Sequence, residues 1–129
     1  MVDESELLEF YESSCFSSFQ SLWNLFYPYD KYQEAIDKFL FSVEYFVKTD
    51  KFMLVENNKR HVDFILPKED IEKHISMFKK SFPDESSMKE KDGYWFYTDE
   101  CPYMPVWFAE EFIEDLVEKW KDGRFYIWT

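Results

Sequence analysis

The sequence predicts an α+β fold, in which a helical N-terminal half is followed by a small antiparallel β-sheet with two further helices packed on it. Two features support this prediction. Apolar residues recur at spacings of three and four along residues 1–48, whereas the second half contains short apolar runs separated by turn residues. The length of 129 residues fits a single domain over residues 1–129, because two domains of half this size would each be too small to bury a sufficient core.

Three helices are expected in the first half. The first is opened by Ser5, and the second ends before Pro28, whose ring cannot continue a helix. The third covers about residues 31–48, with Asp30 as its N-cap. Its apolar stripe is the most regular in the chain and therefore predicts a central position. The stripe consists of Ile36, Phe39, Leu40, Val43, Phe46 and Val47.

A β-hairpin and a further helix are predicted next. Residues 51–56 and 61–66 would form the two strands of the hairpin, with Val55 opposite Val62. A proline ends the second strand, and the apolar spacing after it predicts a helix over about residues 68–81.

The last third of the chain is predicted to contain a loop, a strand, a helix and a closing strand. Residues 84–92 are polar and show no periodicity, which indicates a loop. A strand would follow at Tyr94–Thr98. Apolar residues at helical spacing predict a helix from about Phe108 to Trp120, and Phe125–Trp128 would form the closing strand.

The net charge of −12 is large for a chain of this size and restricts the classes of partner. Negative charge repels the phosphates of nucleic acids and anionic membrane surfaces, and it favours fast, salt-sensitive capture of a cationic protein. The N-terminal residues are acidic, unlike a signal peptide, and no apolar run approaches the roughly 20 residues of a membrane span. We therefore expect a cytoplasmic protein with a basic protein partner. A surface that is acidic only for solubility is the alternative interpretation.

The residue pattern predicts no catalysis, no cofactor and no metal ion. His61 and His74 are the only histidines, and the sequence contains none of the common metal-binding motifs. Cys15 and Cys101 are expected to be thiols, and Cys101 is the better candidate nucleophile, although a buried structural thiol is the commoner role. An enzyme whose site is assembled by folding remains the alternative. A pocket that holds Cys101 or a histidine with a shifted pKa would indicate it.

The strongest binding signal lies on the predicted last helix, whose outer side consists almost entirely of carboxylates. Like charges at spacings of three and four destabilise a helix by a few tenths of a kcal/mol per pair, so structure alone does not require them. A solvated acidic face is the alternative. The predicted contributors to partner binding are Glu110, Glu111, Glu114, Asp115 and Glu118, with Asp99 and Glu100 as secondary contributors.

An aromatic run precedes this helix and provides a second binding signal. Side chains of a strand alternate between its two faces, so either Tyr94 and Phe96 or Trp95 and Tyr97 would point outward. Tyrosine and tryptophan are enriched at protein interfaces, where they bind in pockets of the partner. The outward pair is therefore a candidate binding hot spot.

Several aromatic and turn residues carry a resemblance to a known family. These residues are Leu22-Trp23, Trp95-Phe96-Tyr97, Asp99-Glu100-Cys101-Pro102, Val106-Trp107 and Trp128-Thr129. Together they are similar to an uncharacterised bacterial family, domain of unknown function 596, which has members encoded beside large toxin proteins. More broadly, the small acidic chain resembles the immunity proteins that bacteria pair with toxins. The resemblance implies an inhibitor of a cognate toxin and assigns no functional residue.

We therefore expect an immunity protein that binds and inhibits a specific, basic toxin domain of the nuclease type. The first alternative is a nucleic-acid mimic that inhibits a DNA-binding protein, which would need carboxylates spaced like phosphates. The second is a non-catalytic interaction or assembly domain, which would show an exposed apolar patch and self-association.

Overall fold

The computed structural model describes residues 2–13, 17–57, 59, 64–91, 94–109, 117–119 and 125–128. The α-helices are α1 (Glu4–Ser13), α2 (Phe19–Trp23), α3 (Tyr32–Lys48), α4 (Ile71–Ser81) and α5 (Glu85–Glu90). The strands are β1 (Phe52–Glu56), β2 (Tyr103–Ala109), β3 (Val117–Lys119) and β4 (Phe125–Trp128). Two segments form 3₁₀ helices, Lys68–Asp70 and Tyr94–Tyr97. The α+β prediction, with a helical N-terminal half followed by an antiparallel sheet, is confirmed.

Helix α1 begins two residues earlier than the sequence indicated, and its cap is Asp3 instead of Ser5. The carboxylate of Asp3 accepts hydrogen bonds from the backbone N–H and the hydroxyl of Ser5, at 2.9 and 2.8 Å. Both bonds lower the pKa of Asp3 because they favour its ionised form. An ionised carboxylate at this end of the helix also interacts favourably with the helix dipole.

Helix α3 is the central helix, as its apolar stripe predicts. Phe39, Val43 and Phe46 on this stripe are completely buried. The residue at the N-cap position is Lys31, not Asp30, whose carboxylate instead lies 3.0 Å from the ammonium nitrogen of Lys38. The Asp30 carboxylate is therefore engaged by Lys38 and does not cap α3.

The four described strands form one antiparallel sheet in the order β1-β2-β4-β3. Phe52 of β1 is opposite Trp107 of β2, and their rings meet edge to face with centroids 4.7 Å apart. Val106 of β2 is opposite Trp128 of β4. The prediction of a strand at Phe125–Trp128 is confirmed.

The predicted hairpin is wrong in its register and in its main partner. Val55 is bridged to Ile65 instead of Val62, and the backbone N–H of Leu66 donates to the carbonyl of Leu54 at 2.8 Å. Residues 60–63 lie outside the described part of the chain. The main partner of β1 is β2, because this distant pairing allows the rings of Phe52 and Trp107 to pack together in the core.

The predicted loop at residues 84–92 contains helix α5. Asp84 is its N-cap and accepts a hydrogen bond from the backbone N–H of Ser87 at 2.8 Å. The helix buries Met88, which gives this otherwise polar segment one anchor in the core. Capping and a single buried side chain therefore decide its structure, and neither produces a periodic apolar pattern.

The predicted last helix is contradicted at both ends. Phe108 and Ala109 belong to β2, and Val117–Lys119 form β3, which pairs with β4. Residues 110–116 lie outside the described part of the chain. In the described part of the second half, the α-helices are α4 and α5. Residues 108–109 and 117–119, which were predicted to be helical, therefore form paired strands.

One hydrophobic cluster joins the helical half to the sheet. Phe39 of α3 lies near its centre, with ring centroids of Phe19, Phe78 and Phe96 at 5.5, 5.5 and 5.1 Å. Such edge-on and tilted aromatic pairs stabilise the core beyond the burial of their area. The Tyr94–Tyr97 segment is thus attached to the same core as the central helix.

Candidate functional site

The described residues among the predicted partner-binding carboxylates lie on two different elements of the fold. Asp99 and Glu100 are exposed in a turn directly after the Tyr94–Tyr97 3₁₀ helix. Glu118 lies on β3, where its backbone is opposite Tyr126 of β4. The remaining predicted contributors lie outside the described residues; they are Glu110, Glu111, Glu114 and Asp115.

The aromatic run forms a 3₁₀ helix, so both predictions of its outward pair are wrong. A 3₁₀ helix has three residues per turn, and positions i and i+3 therefore lie on the same side. Tyr94 and Tyr97 are 61% and 59% exposed, with ring centroids 6.2 Å apart. Trp95 and Phe96 are buried. The exposed pair consists of two tyrosines, the residue type that combines a large apolar ring with a hydrogen-bonding group.

The two buried rings between these tyrosines hold the helix on the core. The Trp95 ring lies 4.8 Å from that of Phe82, and the Phe96 ring lies 5.1 Å from that of Phe39, measured between centroids. The 3₁₀ helix is therefore attached to both α3 and the end of α4. The exposed rings of Tyr94 and Tyr97 are therefore carried by a segment whose other two side chains are buried in the core.

Asn57 follows directly after β1 and fixes the turn at residues 98–101, which comes after the Tyr94–Tyr97 3₁₀ helix. Its side-chain amide donates to the carbonyl oxygens of Thr98 and Cys101, each at 2.9 Å, and its backbone N–H donates to the carbonyl of Pro102 at 2.9 Å. The hydroxyl of Thr98 donates to the carbonyl of Trp95 at 2.7 Å. These bonds hold the turn that carries the two carboxylates in one conformation.

We call Tyr94, Tyr97, Asp99 and Glu100 the tyrosine–carboxylate surface. The hydroxyl of Tyr97 donates to that of Ser18 at 2.8 Å, which joins the surface to the start of α2. Glu100 lies 3.3 Å from the ammonium nitrogen of Lys91. Both groups of this ion pair are substantially exposed, so water screens it and the carboxylate can exchange Lys91 for a cation of a partner.

The role of Asn57 and the pairing of Tyr94 with Tyr97 were not predicted from the sequence. The signal for the tyrosine pair is the order Tyr-Trp-Phe-Tyr, in which residues with a hydroxyl flank two apolar residues. This order fits one turn with a period of three better than strict alternation. No comparable signal identifies Asn57, because its bonds to Thr98 and Cys101 join residues more than forty positions apart.

The Cys101 thiol has the properties of a structural group. It is completely buried, and its sulfur donates a hydrogen bond to the carbonyl oxygen of Tyr103 at 3.3 Å. Burial raises the pKa of Cys101 to about 12, so the thiol stays protonated at neutral pH. Cys15 lies outside the described residues.

His74 is another buried titratable group outside the tyrosine–carboxylate surface. Its Nδ1 is hydrogen-bonded to the hydroxyl of Tyr103, with 3.0 Å between the two atoms. Burial lowers the pKa of His74, and Lys73 adds to this, while the charges of Asp70 and Glu56 act in the opposite direction. Nε2 of His74 has no hydrogen-bond partner among the described residues. The imidazole is therefore neutral at pH 7.

Neither a metal centre nor a membrane span is found in the part of the chain that the structure describes. No group of three or more histidine, cysteine, aspartate or glutamate side chains there is arranged to hold a metal ion. None of the described helices combines the length and apolarity needed to cross a bilayer.

No curated protein and no solved structure gives a significant match. A family match covers residues 56–129. This range contains most residues behind the resemblance, including the Tyr94–Tyr97 helix and Asp99, whereas Leu22 and Trp23 precede it. The matching family is described as "Protein of unknown function, DUF596", and because the match covers more than half of the chain, the protein belongs to this family.

Proposed function

We propose that this protein is a cytoplasmic immunity protein, which binds and inhibits the catalytic domain of a cognate, basic bacterial toxin of the nuclease type. The observation that carries the proposal is the tyrosine–carboxylate surface, where two exposed, adjacent tyrosine rings stand beside two exposed carboxylates. The net charge of −12 and the resemblance to small acidic immunity proteins agree with a basic partner.

Each part of the surface has a distinct physical role in such a complex. Tyr94 and Tyr97 can bury large rings at a low cost in conformational entropy, and such residues supply much of the binding energy at interfaces. Asp99 and Glu100 attract a basic protein and increase the association rate. The hydrogen bonds of Asn57 order the turn before binding, which reduces the entropy lost on association.

The acidic residues predicted from the sequence remain part of the proposal as steering charges. Glu118 lies on an antiparallel strand of the sheet, and so its contribution does not depend on a helical arrangement. The other four lie outside the described residues, and they are Glu110, Glu111, Glu114 and Asp115. Steering depends on the summed charge and acts over about a Debye length, roughly 10 Å at 0.1 M salt.

The first experiment identifies the partner. Tagged protein is used to capture proteins from a lysate of the source cells at low and at high salt, and bound proteins are identified and assayed for toxic activity. A single basic protein whose nuclease activity is lost on addition of the purified chain would support the proposal. Capture of a DNA-binding protein would support the nucleic-acid mimic instead, and recovery of only the chain itself would support an assembly domain.

The second experiment tests the surface with the purified pair. We expect Tyr94→Ala combined with Tyr97→Ala to increase the dissociation rate about tenfold or more, because exposed aromatic anchors act mainly on dissociation. The matched control is Tyr29→Ala, since Tyr29 is 84% exposed elsewhere on the chain. Equal rates for the double variant and for this control would remove the tyrosines from the interface.

Substitution of Asp99 and Glu100 tests electrostatic steering of association independently of the two tyrosines. Asp99→Asn with Glu100→Gln should slow association at low salt, and the difference should disappear at high salt. The control, Glu34→Gln with Asp37→Asn, removes the same charge from the exposed side of α3. If both double variants slow association equally, only the total charge matters and the turn is not part of the site.

A further inference from the structure

A groove of about 310 Å³ lies between α1 and the turn after α2. Glu6, Glu9, Phe10 and Ser13 of α1 line one side of it, and Leu25 and Phe26 line the other. Residues at these spacings on α1 share one side of the helix. The groove therefore has apolar side chains along its length and two carboxylates on one wall.

The carboxylates of this wall have no basic partner among the residues that the structure describes. Glu6 and Glu9 are exposed and form no ion pair with any lysine or arginine among the described residues. Residues 1–30 contain no Lys or Arg at all, and their acidic residues are Asp3, Glu4, Glu6, Glu9, Glu12 and Asp30. The negative potential at the groove is therefore not compensated by this segment.

The opposite wall is apolar and reaches solvent. Leu25 is 41% exposed, and beside it the ring of Phe26 is buried in the core. An apolar surface beside unpaired carboxylates is complementary to a side chain that has an aliphatic stem and a cationic end. Arginine has this form, and its guanidinium can donate two parallel hydrogen bonds to a carboxylate.

We propose that the groove between α1 and the α2–α3 turn binds an arginine side chain on a segment of a basic protein. The stem lies against Leu25 and Phe26, and the guanidinium lies at Glu6 and Glu9. The volume is near the lower limit of ligand pockets, roughly 300–1,000 Å³, which suits one inserted side chain better than a whole small molecule. This docking surface is defined by residues other than the tyrosine–carboxylate surface, and it does not require the partner to be a toxin.

The test uses a short peptide and the full chain. The probe is the capped tripeptide acetyl-Leu-Arg-Leu-amide, titrated into ¹⁵N-labelled protein while amide chemical shifts are recorded. We expect saturable shifts at Phe10, Ser13, Leu25 and Phe26, with a dissociation constant of about a millimolar, as befits a very small ligand. The matched peptide has citrulline in place of arginine and keeps the shape without the charge. It should produce no saturable shifts.

Variants locate the site and exclude general attraction to an acidic protein. Glu6→Gln with Glu9→Gln should weaken binding of the arginine peptide about tenfold, because two charge-assisted contacts are lost. Glu4→Gln with Glu12→Gln removes the same charge from exposed positions of α1 that do not line the groove, and should leave binding unchanged. Leu25→Ser should also weaken binding, whereas Leu8→Ser should not, although both leucines are 41% exposed.

Two results would overturn the inference. One is equal binding of the arginine and citrulline peptides. The other is equal loss of affinity in the two glutamate double variants, which would show attraction by total charge only. The toxin proposal is tested by inhibition of a purified partner, so failure of one proposal is distinguishable from failure of the other.

Discussion

The side chain of Asn57 should contribute more to stability than its half-buried position suggests. Its amide donates to two carbonyl oxygens at 2.9 Å, on Thr98 and Cys101. A net hydrogen bond contributes about 0.5–1.5 kcal/mol, so Asn57→Ala should cost about 2 kcal/mol for the two bonds. Asn57→Asp should cost more, because the isosteric carboxylate faces the same two carbonyl oxygens with acceptors only.

Urea and thermal unfolding followed by circular dichroism measure this effect. For a chain of 129 residues a loss of 2 kcal/mol corresponds to a decrease in melting temperature of about 7 °C. The control is Asn24→Asp, because Asn24 is exposed and accepts only one side-chain bond, from Gln20 at 3.1 Å. This control should remain within about 0.5 kcal/mol of the wild type.

The two substitutions of Asn57 should also differ in a fixed order, with Asn57→Asp the more destabilising. If Asn57→Asp is less destabilising than Asn57→Ala, then the amide does not act as a double donor to the turn, and the argument is refuted. A second consequence concerns function. Since Asn57 orders the turn of the tyrosine–carboxylate surface without belonging to it, Asn57→Ala should weaken binding of the partner under conditions where the variant is fully folded.

Two of the buried titratable groups, His74 and Cys101, lead to further predictions. His74 has a lowered pKa in the folded state, so the unfolded chain binds a proton first as the pH falls through about 6.5. Unfolding free energy should therefore fall between pH 7 and pH 5.5, and His74→Gln should flatten this dependence in urea titrations at several pH values; an unchanged slope would contradict it. In a Cys15→Ser background, where Cys101 is the remaining thiol of the sequence, this residue is buried with its pKa raised to about 12 and should react with a thiol reagent at pH 8 only at the rate of unfolding. Immediate reaction in the native protein would contradict the buried position.

The elements that the sequence predicted well are those whose side chains follow one clear period. Helix α3 was predicted within a residue because its apolar stripe continues over four turns. The closing strand at Phe125–Trp128 was predicted from a short aromatic and β-branched run after a turn signal. In both cases, local preference and burial favour the same structure.

The errors occur where distant pairing overrides the local pattern. Strand β2 is buried along both faces from Tyr103 to Phe108, and so it shows no alternation of polar and apolar residues. Pro105 also argues against a central strand, since it lacks a backbone donor. The structure avoids this difficulty because β4 pairs only with residues 106–109 of β2, and Pro105 lies just before that segment.

The candidate site was predicted in composition but not in geometry. The aromatic run and the adjacent carboxylates were recognised, yet which rings face solvent depends on a period of three instead of two over four residues. The order Tyr-Trp-Phe-Tyr favours a period of three, but four residues are too few to decide between the two periods. Burial of Trp95 and Phe96 against α3 and α4 decides between them, and this packing is a property of the whole fold.

One of the two proposed surfaces lies inside the segment that matches the family, and the other lies outside it. The tyrosine–carboxylate surface lies within residues 56–129, the range of the family match, whereas the groove is built from residues 6–26, which precede it. Binding through the first surface can therefore be tested on any member that has the Tyr94–Glu100 sequence features. Binding through the groove is a property of this chain's N-terminal helices. If both surfaces contact one basic partner, loss of both should weaken binding by about the product of the single losses, since sites without shared contacts act additively.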